Sequence, residues 1–346
     1  MSKLQVNEIN WSIVEEYLRQ EIQGLSSSPL EVNQFSAGYS NLTYLISIGD
    51  WQGVLRRPPF GPIPPKAHDM KREFEILEKL NRAFPLAPKP YLYCADPNIM
   101  ERHFYVMEKK EGCVFDETIP NEYENKENVG QRASKALVDT LVKLHAVNYK
   151  TAGLDTIGYP DGYLGRQVNG WIKRFHQAKT NDIPAVSSLE NWLLDNIPPS
   201  LSPTIVHNDF KLNNMMFAAN DPGEVIGVFD WELSTIGDPL TDLGTTLAYW
   251  TEPDDKVTGL SSVTMNPGFF TRREILELYG EKSGRDITHI DYYLTFAFYK
   301  VAVILQQIYY RWQIGEAKDK RFGKLDIGIK NLLEQATKAQ RKEMLR

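Results

Sequence analysis

The chain has 346 residues, 42% hydrophobic and 24% charged, a composition that fits a globular protein of about two domains or one two-lobed domain. Lys plus Arg number 39 against 45 Asp plus Glu, so the net charge of −6 argues against a general nucleic-acid binder, which needs excess positive charge. The two cysteines, Cys94 and Cys113, form no CxxC and no Cys/His cluster, which speaks against a disulfide framework and a structural zinc site.

The first thirty residues are charged throughout and lack the apolar core of a targeting peptide. Trp11, Val14, Leu18 and Ile22 recur at helical spacing, with Ser12 and Glu15 as a capping box and Gly24 as the stop. Strand-like runs follow at 32–35, 43–48 and 52–57, separated by Ala37-Gly38 and Gly49-Asp50, the pattern of adjacent antiparallel strands. After a proline-rich loop at 58–65, a helix is expected over 66–83, then strands at 91–94 and 103–108 and a polar hinge. From 114 onward helices are expected at 128–148, 162–178, 186–196, 240–250, 272–280, 290–314 and 324–343, around a β island at 204–230. The apolar stretch 292–310 is interrupted by Lys300, Gln306 and Gln307, so it reads as a buried helix, with no membrane partner and a cytoplasmic location.

On a helical wheel of residues 70–80, Met70, Phe74, Ile76, Leu77 and Leu80 share one arc, with Glu73 near its middle. A carboxylate centred on an apolar stripe needs a cation. Arg56 and Arg57 end the third strand, and alternation puts Val54 and Arg56 on one face and Leu55 and Arg57 on the other. A strand cation paired with a helix carboxylate is a phosphate-holding device in kinases, and equally a plain structural ion pair.

The string His207-Asn208-Asp209-Phe210-Lys211-Leu212-Asn213-Asn214 fits H-x-D-x-x-x-x-N, and Asp230 follows in Val228-Phe229-Asp230-Trp231. Phosphoryl transfer to a hydroxyl needs one carboxylate near the attacking O–H, here Asp209. It also needs oxygen ligands for magnesium, here the Asn214 amide oxygen and Asp230 at the end of an apolar strand. Residues 181–260 hold 13 acidic residues against two lysines, a balance that suits a divalent metal or a solvated acidic surface. His207 orients this loop, His145 packs in the core, and Asp238 and Asp242 serve as loop and helix-capping groups. Tyr163, Arg166 and Trp171 are candidates to face an acceptor.

These motifs resemble the aminoglycoside-phosphotransferase and choline-kinase family, most of all the small-molecule kinase domains fused to acyl-CoA dehydrogenases. The resemblance runs over about 34–315 through Phe35-Ser36-Ala37-Gly38-Tyr39-Ser40-Asn41, Val54-Leu55-Arg56-Arg57-Pro58-Pro59, Arg72-Glu73, Phe104-Tyr105-Val106-Met107-Glu108, Leu144-His145-Ala146-Val147, the His207 motif and Phe229-Asp230-Trp231-Glu232. It implies an α+β, bilobal protein-kinase-like fold. A small antiparallel β-rich nucleotide-binding lobe with one main helix (1–108) would join, through a hinge (109–113), a larger helical catalytic and acceptor lobe (114–346). It implies an ATP- and Mg2+-dependent kinase of a small hydroxyl compound, such as a hydroxyacyl-CoA-like metabolite. An aminoglycoside acceptor and a nucleotide-binding pseudokinase are the alternatives. Asp209 would be the catalytic base and Asn214 and Asp230 the magnesium ligands. Gly38, Tyr39, Ser40, Asn41, Val54, Arg56, Glu73, Met107, Glu108 and Lys109 would meet the nucleotide. The phosphate loop keeps only Gly38 of a glycine-rich motif, and arginine stands where most kinases have lysine.

Overall fold

A computed structural model describes residues 9–35, 41–60, 69–260 and 263–345. The chain divides into two compact units: residues 1–111 with 227–232, and residues 112–226 with 233–346. The segment 227–232, which carries Asp230, thus belongs to the first unit, where the sequence pattern assigns all of 114–346 to one lobe.

The first unit opens with α1 (Trp11–Glu21), followed by β1 (Leu30–Gln34), β2 (Leu42–Ile48), β3 (Trp51–Arg57), α2 (Met70–Ala83), β4 (Pro90–Cys94) and β5 (Phe104–Glu108). The strands form one antiparallel sheet in the order β1-β2-β3-β5-β4. Gly49 supplies the left-handed residue of the β2–β3 turn, at φ 58°. The expected capping box at Ser12 is not the helix start. Asn10 caps α1, its side chain accepting from the Ile13 N–H at 3.5 Å, because the helix begins one residue before Ser12.

Alternation along β3 and β5 sorts the two faces. Leu55, Phe104 and Val106 join Val14 and Leu18 of α1 in one core. Burying each such side chain contributes about 1.5–3 kcal/mol. Arg56 and Tyr105, opposite each other in register, lie on the other face, where the Tyr105 ring meets Phe74 of α2.

The second unit contains α3 (Val129–His145), α4 (Tyr163–Gln177), α5 (Ala185–Asp195), β6 (Thr204–Val206), β7 (Met215–Ala218), β8 (Asp221–Val228), β9 (Thr235–Gly237), α6 (Pro239–Tyr249), α7 (Arg272–Ser283), α8 (Ile290–Gln313) and α9 (Leu325–Gln340), with β8 ending in the first unit. β6 pairs with β9 and β7 with β8. The aromatic run of α8 is mostly core: Tyr292, Tyr293, Phe296, Phe298 and Tyr299 are all buried. α6 is buried on every side from Pro239 to Ala248, so its one carboxylate, Asp242, has no route to water. No helix among the described residues is long and apolar enough to cross a membrane.

Candidate active site

The first unit assembles a charged cluster on the inner face of its sheet. The Arg56 guanidinium donates through Nη1 to Glu73 Oε1 at 2.6 Å and through Nη2 to Asp230 Oδ1 at 2.7 Å. The fork of arginine makes this possible, since a lysine ammonium offers no pair of parallel, rigidly spaced donors. Glu73 is 1% exposed, and its helix presents it to the sheet rather than to water. Burial pushes the Glu73 carboxyl up to about 7, against the pull of Arg56. Burial opposes the Arg56 charge, yet Glu73, Tyr105 and Asp230 together hold its pKa well above the ordinary value.

Asp230 does not end its strand as the sequence suggests. β8 stops at Val228, and Asp230 lies two residues beyond it in the left-handed region, at φ 67°. That conformation costs a non-glycine residue energy and persists where surrounding contacts fix it. The contacts are visible. The Val228 N–H donates to the Leu86 carbonyl at 2.8 Å, Trp231 Nε1 donates to the Val228 carbonyl at 2.8 Å, and Arg72 Nη1 donates to the Glu232 carbonyl at 2.9 Å. Asn41, an expected nucleotide contact, donates to Glu232 Oε2 at 3.3 Å.

Other nucleotide-side expectations are placed as follows. Val54 and Met107 are opposite each other in register and buried. The Glu108 N–H donates to the Lys89 carbonyl at 2.8 Å, while Lys109 Nζ donates to Gln52 Oε1 at 2.6 Å. Gly38, Tyr39 and Ser40 lie outside the described residues.

The second unit carries the Asp209 motif on the loop after β6. Asn214 folds back as its spacing predicts. Its Nδ2 donates at 2.9 Å to both the carbonyl and the Oδ2 of Asp209, which fixes the amide orientation and turns Oδ1 of Asn214 the other way. Lys211 Nζ also lies 3.0 Å from Asp209 Oδ2. Both partners fall on Oδ2. Among the described residues no hydrogen bond reaches Asp209 Oδ1, the oxygen that can accept a proton from a hydroxyl.

This loop is pinned from below. The buried Asp242 carboxylate accepts the His207 N–H at 2.6 Å on Oδ2 and the Asn208 N–H at 2.6 Å on Oδ1. His145 Nε2 lies 3.3 Å from the same Oδ2, and its Nδ1 is 2.8 Å from the Tyr279 hydroxyl. Burial alone would raise the Asp242 pKa, but the bonds from His145 and His207 more than offset it and hold the carboxyl below its usual range. Burial pushes the His145 imidazole down, toward its neutral form. Asn208 itself is left-handed at φ 69°, held by the Tyr163 hydroxyl on its side-chain oxygen at 2.8 Å and by Lys300 Nζ on its carbonyl at 2.6 Å. Gly237 lets β9 approach that tyrosine. A Cβ there would sit 2.6 Å from the Tyr163 ring.

Sequence reasoning reads Asp238 and Asp242 as loop and helix-capping groups, and the structure divides the roles: Asp238 caps α6, accepting from the Leu240 N–H at 3.0 Å, while Asp242 anchors the loop backbone. The sequence gives little sign of this, since Thr241, Asp242, Thr245 and Thr246 fall in one arc of the helix and read as an ordinary polar face. Lys211 and Lys300 were also missed as site residues. Lys211 sits inside the motif, whereas Lys300 is 91 residues beyond Asp209 and no local pattern connects them.

The donor chemistry fits magnesium better than a transition metal. Among the described residues no three His, Cys, Asp or Glu side chains cluster to hold a metal. The two expected magnesium ligands, the Asn214 amide oxygen and the Asp230 carboxylate, are hard oxygen donors of the type Mg2+ takes.

The fold and the comparisons with known proteins place the chain among phosphotransferases of the small-molecule kinase class. The chain belongs to the phosphotransferase enzyme family, whose model matches residues 31–269. It is 36% identical over 314 residues to acyl-CoA dehydrogenase family member 11 of Rattus norvegicus, a match covering 87% of this chain and 39% of that protein. The chain therefore spans about two fifths of that relative's length. Among solved structures, a Ralstonia eutropha protein named provisionally as an aminoglycoside phosphotransferase superposes with a TM-score of 0.82 at 29% identity, covering 97% of this chain and 99% of that one. Choline kinase from Cryptosporidium parvum has the same fold at a TM-score of 0.64 and 15% identity, covering 97% and 98% of the two chains. So does spectinomycin phosphotransferase, solved with ADP and its antibiotic, at a TM-score of 0.60 and 13% identity over 97% and 100%.

Proposed function

We propose that the chain transfers the γ-phosphate of ATP to a hydroxyl group of a small molecule, with magnesium. The observation that carries this reading is Asp209: one carboxylate oxygen held by Asn214 and Lys211, the other open, on a loop whose backbone is pinned by Asp242. Asp209 Oδ1 takes the proton as the acceptor oxygen forms its bond to phosphorus and the bond to ADP breaks. Asn214 Oδ1 and Asp230 are the protein's oxygen ligands for Mg2+, which when bound neutralises phosphate charge. Arg56, positioned by Glu73, meets the phosphates, and Val54 and the 107–109 segment meet the base. Since the Glu108 N–H is spent on Lys89, adenine recognition there falls to its neighbours.

The name of the rat relative, acyl-CoA dehydrogenase family member 11, motivates a hydroxylated acyl-CoA as the acceptor. A cytoplasmic location, where Mg-ATP is plentiful, suits the reading. The test is acceptor-dependent ADP release from Mg-ATP over pooled hydroxyl metabolites. Turnover that disappears in Asp209→Asn supports the proposal. Tight nucleotide binding with no turnover on any pool would favour a nucleotide-binding pseudokinase.

A further inference from the structure

The second unit contains a cleft of about 320 Å3 beside the Asp209 loop, bounded by Tyr163, Arg166 and Arg174 of α4, by Asn208 and Thr235, and by Lys300 of α8. Its size falls at the lower end of small-ligand sites. Three cations line it, and among its described lining residues there is no carboxylate.

Arg166 donates to the backbone carbonyls of Asp161 and Tyr159, which are neutral partners. Arg174 stacks on the Trp171 ring, its guanidinium carbon 4.5 Å from the centroid, and Lys300 Nζ approaches the same ring at 5.8 Å. Among the described residues, none of the three forms a salt bridge. Lys300 is also buried, and burial lowers its ammonium pKa against the pull of Asp209 and Asp242. Three like charges around one small volume repel each other, and an anion in that volume relieves the repulsion.

Several acidic residues of 181–260 are engaged elsewhere. Asp221 pairs with Arg132 at 2.5 Å, Glu252 pairs with Arg272 at 2.9 Å, and Asp255 pairs with the same arginine. Asp238 accepts the Tyr293 hydroxyl at 2.7 Å, and Asp242 is spent on the loop backbone. None of them borders the cleft.

We propose that the acceptor is an anion, a hydroxyl compound whose carboxylate or phosphate group is held by Arg166, Arg174 and Lys300. Asn208 lines the cleft and directly precedes Asp209, so a ligand anchored by its charge here presents the rest of its length along the catalytic loop. This inference rests on the phosphotransferase reading above and narrows its substrate class.

The test measures ADP release from Mg-ATP on four separate pools: hydroxycarboxylates, phosphate-bearing hydroxyl compounds including coenzyme A thioesters, neutral polyols, and aminoglycosides with other amino alcohols. Wild type is compared with Arg166→Gln, Arg174→Gln and the double variant. Both arginines are exposed, so their removal leaves the core intact. The expected result is turnover on one of the two anionic pools, which identifies the group, with the acceptor KM raised tenfold or more in Arg174→Gln and the ATP KM unmoved. Turnover confined to neutral or cationic pools overturns the anion proposal while leaving the kinase reading intact. Anionic turnover that ignores both arginines overturns the assigned site. If no pool turns over, the kinase reading fails, and titration calorimetry with inorganic phosphate and with malonate decides the site alone. Binding lost in the double variant supports it, and absent or unchanged binding overturns it.

Discussion

Asp242 offers the sharpest test of how the fold positions the chemistry. Asp242→Asn preserves size and shape but replaces one carboxylate oxygen with an NH2 group. The two backbone donors at 2.6 Å, from His207 and Asn208, then face one acceptor and one donor. One charge-assisted bond becomes neutral and the other is lost, leaving a buried N–H unpaired. Hydrogen bonds to charged groups contribute about 1.5–3 kcal/mol each, and an unsatisfied buried donor costs about 1–3 kcal/mol, so a net loss of about 3 kcal/mol is expected. At roughly 2–4 °C per kcal/mol for a unit of this size, Tm falls by about 6–12 °C. The displaced loop carries Asp209, and a misplacement of about 1 Å costs on the order of 100-fold in kcat. Scanning fluorimetry and ADP release on the same preparations give both quantities. A variant with the wild-type Tm and kcat would refute the claim that Asp242 holds the loop.

Three further outcomes are expected. Arg56→Lys cannot serve Glu73 and Asp230 with one rigid fork, so it loses one charge-assisted bond of about 1.5–3 kcal/mol and weakens Mg-ATP binding; an unchanged nucleotide Kd and Tm would contradict the bridging role. Glu73→Leu removes the buried partner of Arg56 and costs about 3 kcal/mol, read as a shift in denaturant midpoint, unless Asp230 alone compensates the arginine.

The pH dependence divides by unit. The folded pKa of His145 lies below its ordinary 6.5, so the unfolded chain binds the extra proton first and stability is lost as pH falls below 6.5. Asp242, held below its ordinary 3.8, adds stability that is present above 3.8 and lost as pH falls further, through its folded value. Glu73 acts oppositely: its folded value of about 7 against 4.5 removes stability as pH rises from 4.5 to 7. Glu73→Gln therefore makes Tm fall more steeply between pH 7 and pH 5 than in wild type, and a shallower profile would contradict the assignment.

Much of the site was legible because its signals are local. Glu73 lies amid apolar helix positions, Arg56 ends an alternating strand, and five residues separate Asp209 from Asn214. What was not legible depends on contacts distant in sequence. β9 has three residues, too few to show alternation, and pairs with β6 across a gap that includes the whole catalytic motif. Lys300 reaches the Asn208 carbonyl from a helix 92 residues away, and the left-handed turn at Asp230 is imposed by Leu86 and Arg72 contacts rather than by a glycine. The acidity of 181–260 identifies no ligand by itself: composition counts charges but not their partners, and Arg132 and Arg272 lie outside the window.

The central claim is that Asp209 is the base for phosphoryl transfer to a hydroxyl. The direct measurement is single-turnover transfer of γ-labelled phosphate from Mg-ATP to the acceptor, in wild type and Asp209→Asn, beside the nucleotide Kd of each. The account predicts a labelled phosphate ester in wild type, a rate lower by on the order of 10²–10⁴ in the variant, and an unchanged nucleotide Kd. Equal transfer by both proteins, or label released only to water, would contradict it.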